Sequence, residues 1–127
     1  DRLGLRPDAD RARAAADMAA ELGATVLLKG AATVIASAEG AVIRIPSGTG
    51  WLATAGTGDV LAGVLGALLA ANPGEPIAEV AAAGAWLHGH AARIASETVG
   101  DDAGPGHPIV ALDVAEALPR AIADLLA

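Results

Sequence analysis

Apolar residues recur at helical spacing through Ala12, Ala15, Met18, Ala19 and Leu22, after Pro7-Asp8 and before Gly23. An N-cap candidate, an apolar stripe and a glycine past the end predict a helix over residues 8–22. The short β-branched and apolar run Thr25–Lys29 follows, then a Gly30-Ala31-Ala32 turn and a second strand over Thr33–Ala36. Glu39-Gly40 closes a hairpin onto a third strand, Ala41–Ile45, and Pro46–Gly50 reads as loop. From Thr57 to Ala71 the period becomes helical, with Val60, Leu61, Val64, Leu65, Leu68 and Leu69 on one broad face, until Asn72-Pro73-Gly74 stops it. A further helix opens at Glu75-Pro76 and extends to about Val99, its interior rich in alanine and holding Gly84 and Gly89. Gly100–Pro108 is loop, and Asp113–Leu126 forms a last amphipathic helix, bent or broken before Pro119. The expected order is a helix, a strand, a β-hairpin and three helices: an α/β layer with a short sheet flanked by helices.

Composition narrows the class. Hydrophobic residues make up 54% of the 127, which excludes a disordered chain, but much of that share is alanine. With two Trp, no Phe and no Tyr, packing falls to Leu, Ile and Val, so a thin core for the length is expected. The absence of cysteine excludes disulfide scaffolds, thiol catalysis and cysteine-ligated metal. A net charge of −7 with only eight Lys and Arg argues against nucleic acid and against an anionic membrane surface as partners. The apolar run Val60–Ala71 is shorter than the roughly 20 residues of a bilayer span. No signal-type opening is visible, so a cytoplasmic location is the default expectation. The start at Asp1 rather than Met reads as processing or excision from something longer.

Two stretches carry candidate chemistry. In Ala53–Gly63, Gly56 and Gly58 flank a helix start, with Asp59 in its first turn. Unsatisfied N–H groups and the positive end of the helix dipole suit an anion there, and glycine lets it approach closely. Asp59 would stand beside such an anion as a base for a hydroxyl proton. The plainer reading is a tight loop-to-helix turn whose carboxylate stabilises the helix start. The second stretch is Lys29–Thr33, with the chain's single lysine at the end of a strand, placed to counter phosphate charge or simply to be solvated. Neither the P-loop pattern nor Gly-x-Gly-x-x-Gly is present, which excludes both of those nucleotide folds.

Taken together, Val26–Ala36 resembles the nucleotide-binding segment of the ADP/ATP-dependent NAD(P)H-hydrate dehydratases, a family of the ribokinase-like superfamily. Gly48–Gly63 is similar to that family's signature, and Trp86–Ala92 with the Leu112-Asp113-Val114 helix start matches its C-terminal pattern. The likeness runs in order along essentially all 127 residues. It implies the C-terminal portion of a ribokinase-like fold as a single partial domain. It also implies removal of water from hydrated NADH or NADPH, with ADP or ATP as phosphoryl donor and Mg2+ accompanying the nucleotide. Carried over by position, Lys29, Gly30, Ala31, Ala32, Thr33 and Gly58 hold the nucleotide. Gly56, Thr57 and Gly58 form the anion hole, and Asp59 contacts the substrate and acts as base. One position departs: the family usually carries Asn where this chain has Thr49, which keeps a hydroxyl but loses the amide.

His88 and His90 lie about 200° apart around a helix and cannot share a metal from one face, so no protein-ligated metal is expected. His88 reads as packed or nucleotide-adjacent, His107 has no assigned role, and Asp101-Asp102 is solvated loop. Two alternatives stand beside the dehydratase. One is a small-alcohol kinase of the same superfamily; the other is a nucleotide-binding half-domain inactive on its own. A homo-oligomer is expected, since family members assemble and uncovered strand edges template pairing.

Overall fold

The computed structural model describes residues 7–46 and 48–127. Ser47 and the side chains of Pro7 and Asp8, the expected start of the first helix, lie outside the described residues. Helix α1 (Pro7–Leu22) leads into β1 (Val26–Leu28), β2 (Ala32–Ala36) and β3 (Val42–Pro46). A 3-10 turn at Gly50–Leu52 precedes α2 (Thr57–Ala71), α3 (Ile77–Ala95) and α4 (Ala111–Leu126). The three strands form an antiparallel meander in the order β1-β2-β3, so both connections are reversals.

β2 is the hinge of the packing. Side chains alternate along a strand, so Val34 and Ala36 face α1 while Ile35 faces α3, all of them fully buried. On the first face Ala15 and Ala19 of α1 close over them, flanked by Val26 and Leu28. On the other, Ala78, Ala81 and Ala85 of α3 cover Ile35, with Leu27, Ile43 and Ile45 alongside. A third cluster joins Leu87, Ala91 and Ala92 of α3 to Ile109 and to Val114 and Ala121 of α4, with Val60 and Val64 of α2 against it. Only part of the expected α1 stripe is used: Met18 and Leu22 are exposed, and the alanines make the contact. The residues that touch the sheet are small, which brings the α1 backbone close to it. Among the described residues no helix is long and apolar enough to cross a membrane.

Two helix ends differ from expectation. α3 stops at Ala95, short of Val99, because Ser96–Thr98 turn back on it. Glu97 N–H donates to the Ile94 carbonyl at 3.2 Å and Thr98 N–H to that of Arg93 at 2.8 Å, while Glu97 adopts φ +58. This is the Schellman closure, with a glutamate where glycine is usual. α4 begins at Ala111, where the Val110 N–H donates to the Asp113 carboxylate at 2.7 Å, so Asp113 lies inside the first turn. It also runs unbroken through Pro119. Pro119 is exposed, so the missing backbone bond falls on the wet side, while Val114 and Ala121 anchor the turns around it.

The left-handed Glu97 yields a test. That conformation costs a non-glycine residue about 1–2 kcal/mol, and glycine's own entropic cost offsets part of the gain. Glu97→Gly is expected to raise stability by roughly 0.5–1 kcal/mol, read as a higher urea midpoint with unchanged slope.

Candidate functional site

Between the β1–β2 turn, the 48–53 loop and the middle of α3 lies a cleft of about 310 Å³. Lys29, Gly30, Ala31 and Thr33 line it on the strand side, and Gly48–Gly50 line it on the loop side. Leu61, Ala85 and His88 contribute from the helices. The loop lies on α3 so closely that a methyl group at Gly48 would fall 2.2 Å from the Gly89 carbonyl oxygen. Only glycine fits such an approach of two backbones.

The strand-side turn is held from behind. Arg11 of α1 donates through Nη1 to the Ala32 carbonyl at 3.1 Å, and through Nη2 to those of Lys29 at 2.8 Å and Leu28 at 3.3 Å. Ala32 itself does not line the cleft; its carbonyl is turned to Arg11.

α2 begins beside the cleft: its Leu61 lines it, whereas Gly56, Thr57 and Gly58 do not. Its N-cap is Gly56, in the left-handed region at φ +86, and the Gly56 carbonyl accepts from the N–H groups of Asp59 and Val60. Of the three N–H groups expected to form the anion hole, those of Gly56 and Gly58 find no acceptor among the described residues. That of Thr57 is directed at the Thr54 carbonyl at 3.3 Å. Thr57 Oγ1, buried, lies 2.9 Å from the carbonyls of both Leu52 and Thr54 and shares its one hydrogen between them. Asp59 is exposed on the first turn, bonds to no described side chain and does not line the cleft itself.

Lys29 and α2 meet. A methyl group at Gly58 would sit 3.3 Å from Lys29 Nζ, so the ammonium rests against the first turn of the helix. A cation at a helix N-terminus opposes the helix dipole, an unfavourable contact of about 0.3–1 kcal/mol at exposed sites. Two positive poles are thus set side by side, an arrangement that an anion would relieve.

His88 closes the back of the cleft, 3% exposed, with Nε2 2.8 Å from the Thr57 carbonyl. A carbonyl only accepts, so Nε2 carries the proton. Burial pushes the imidazole below its ordinary 6.5, the nearby Lys29 charge adds to this, and the bond to Thr57 works the other way. His90 points elsewhere, stacked on Trp86 at 5.0 Å and bonded to Asp124 of α4 at 3.1 Å. The two histidines are therefore divided between the cleft and the α3–α4 seam. Among the described residues no group of three His, Asp or Glu side chains could hold a metal ion.

The sequence reading did not pick out Arg11. Its signal was the spacing Arg11, Ala15, Ala19, which sets a cation on the sheet-facing stripe of α1.

Comparison with known proteins gives the family. A family model described as NAD(P)H-hydrate dehydratase matches residues 2–107. An ADP-dependent (S)-NAD(P)H-hydrate dehydratase of Neisseria meningitidis serogroup B is 50% identical over 96 residues, 76% of this chain and 32% of the relative. A bifunctional NAD(P)H-hydrate repair enzyme Nnr of Mycobacterium leprae is 48% identical over 103 residues, 81% of this chain and 20% of that protein. A crystal structure of the ADP/ATP-dependent NAD(P)H-hydrate dehydratase from Bacillus subtilis, co-crystallised with ATP/Mg2+, superimposes with a TM-score of 0.78 at 32% identity. It covers 92% of this chain and 40% of that one. The chain thus spans about a third of the neisserial relative's length.

His88 predicts a pH dependence. Its pKa is lower folded than unfolded, so the unfolded chain binds more protons between the two values. Stability is then full above the unfolded value of 6.5 and falls as the pH drops from there towards the folded value. Urea midpoints between pH 7.5 and 5 should decline more steeply in the wild type than in His88→Gln; parallel curves would contradict this.

Proposed function

The chain belongs to the NAD(P)H-hydrate dehydratase family, and on that premise we propose that its cleft binds ADP or ATP for the dehydration of hydrated NADH or NADPH. The observation that carries this reading is the Lys29 ammonium, which lines the cleft and lies against the Gly58 turn of α2, so that two positive poles adjoin one another at its rim. The nucleotide lies along Lys29–Thr33, and its terminal phosphate reaches beyond the cleft lining to the open N–H groups of Gly56 and Gly58. Asp59, exposed and unpaired on the same turn, accepts the proton of the hydrate's hydroxyl as its oxygen takes the phosphoryl group. The phosphate ester then leaves as inorganic phosphate with a proton lost from the neighbouring carbon, and the nicotinamide double bond returns. Fixed dipoles at the helix start stabilise the charge on the transferring group, so positioning and electrostatics carry the step. No acid cluster among the described residues would cage a metal, so Mg2+ bound here is held chiefly by phosphate oxygens and water, and it neutralises phosphate charge.

Incubation of the chain with ADP or ATP and hydrated NADH, followed by mass spectrometry, tests the reading. Loss of one water from the hydrate supports it, whereas a stable phosphorylated product indicates a kinase. Asp59→Asn is expected to lower turnover by about 10²–10⁴-fold with nucleotide affinity nearly unchanged.

The share of the relatives that the chain spans favours a second reading, a half-domain that binds nucleotide without turnover. Calorimetry showing ADP binding beside a blank activity assay would select it.

Self-association is part of the proposal, and the surface supports it. β1 and β3 are both sheet edges, and α4 leaves Leu112, Ile122, Leu125 and Leu126 exposed. Light scattering should report a multiple of the chain mass; a single-chain mass at high concentration would overturn this.

A further inference from the structure

We propose that Arg11 is a positioning residue of the cleft: its guanidinium, bonded to the carbonyls of Leu28, Lys29 and Ala32, sets the turn so that the Lys29 ammonium meets Gly58. This rests on the nucleotide reading of the cleft and goes beyond it, because Arg11 lies on α1, outside both the cleft lining and the Lys29–Thr33 and Gly56–Asp59 segments.

The need for such a brace follows from the local fold. β1 is only three residues long and lies at the edge of the sheet formed by the described residues, with its ladder ending at the Leu28–Val34 pair. Lys29 is already beyond the ladder, so its carbonyl has no strand partner, and Arg11 supplies one at 2.8 Å. A short edge strand followed by an exposed turn would otherwise leave the lysine on a loosely held segment. The lysine is also held in an unfavourable place, against the positive end of α2, which a loose turn would let it leave.

Arginine suits this task because its planar fork of donors reaches several carbonyls at once, which one ammonium cannot do. The fork bridges both ends of the turn, Leu28 and Lys29 on one side and Ala32 on the other. The anchoring end is rigid, since Ala15 and Ala19, one and two turns along α1, are buried on the sheet.

Gly30 takes on a different meaning in this light. A methyl group there would fall 2.2 Å from Arg11 Nη2 and 2.5 Å from Cζ. Glycine at this position makes room for the guanidinium on the far side of the turn, whatever approaches from the cleft. The Lys29-Gly30 pair is therefore one unit with Arg11: the lysine faces the ligand, and the glycine faces the brace.

The test is a double-mutant cycle on the chain, read by ADP calorimetry and by the amide resonance of Gly58. Arg11→Gln should weaken ADP binding about tenfold in the wild type and by less than about twofold in a Lys29→Met background, because Arg11 acts through the lysine. An unchanged affinity, or the same loss in both backgrounds, overturns the proposal. The Gly58 resonance of the nucleotide-free chain reports the neighbouring ammonium: Lys29→Met should move it, and Arg11→Gln should move it in the same direction. A Gly58 resonance unmoved by Arg11→Gln overturns the proposal whether or not ADP binds. A wild-type chain that binds no ADP defeats the nucleotide reading instead, and the Gly58 measurement then decides the role of Arg11. Thermal melts check that each variant is folded. Should Arg11→Gln not fold, Arg11→Lys, which keeps a cation but not the fork, goes through both measurements with a smaller loss expected.

Discussion

The close packing of α3 against three partners at once is the constraint on which the rest depends. One stretch of its surface covers the sheet through Ala78, Ala81 and Ala85, and another meets α4 through Leu87, Ala91 and Ala92. Gly84 receives α2, where a methyl group would come within 2.8 Å of a Leu65 methyl. Such crowding around one helix is possible only when its residues are small, and it places His88 and Gly89 where the cleft is built. The alanine-heavy composition, which suggested a thin core, is the means of close helix approach. The apolar interior is divided into three clusters running from α1 across to α4, of which β2 links the first two and α3 the last two. Burial per residue is modest, and the packing is continuous through those two elements.

Much of this was legible in the amino-acid order. The three strands, the hairpin at Gly40 and the helix start at Thr57 follow from period and turn residues, and they appear within one or two positions of expectation. What escaped was settled by tertiary contact. The end of α3 is formed by Glu97 in a glycine-type conformation, which carries no glycine to read. Pro119 stays within α4 because its neighbours are anchored on the dry side of the helix. Met18 and Leu22 fit the apolar stripe of α1 yet remain exposed, since the sheet takes the alanines. The cleft was half legible: Lys29–Thr33 and the Gly56–Asp59 turn stood out by spacing. Their convergence depends on the Lys29 side chain crossing to Gly58, which no local pattern encodes.

The electrostatics of the cleft are one-sided. Lys29, the start of α2 and the guanidinium behind the turn all present positive charge, in a chain whose net charge is −7. His88 lies against the same region and is kept neutral chiefly by burial. A neutral imidazole serves better there than a charged one, because it donates to the Thr57 carbonyl without adding a further cation beside Lys29. The bond also ties α3 to the first turn of α2, so the open N–H groups are oriented by the helix that forms the back wall. Of the positive groups, the Lys29 ammonium lines the cleft, while the guanidinium is spent on carbonyls behind the turn.

Thr49, where the resemblance leads one to expect Asn, supplies the side-chain oxygen that the following turn uses. Its extended backbone, at φ −150 and ψ 156, precedes the 3-10 turn, and its Oγ1 accepts the Trp51 N–H at 3.4 Å. Threonine and asparagine both serve as N-caps through a side-chain oxygen, so the turn needs no more than this residue supplies. Trp51 is then held a second time, its indole N–H donating to the Pro105 carbonyl at 2.9 Å. The loop wall of the cleft is thus fixed from both ends of one tryptophan, independently of an amide at position 49. What the exchange removes is the amide's pair of donors on the cleft side, where Thr49 offers one hydroxyl. The substitution preserves the geometry of the wall and changes the hydrogen bonds that this wall can offer a ligand.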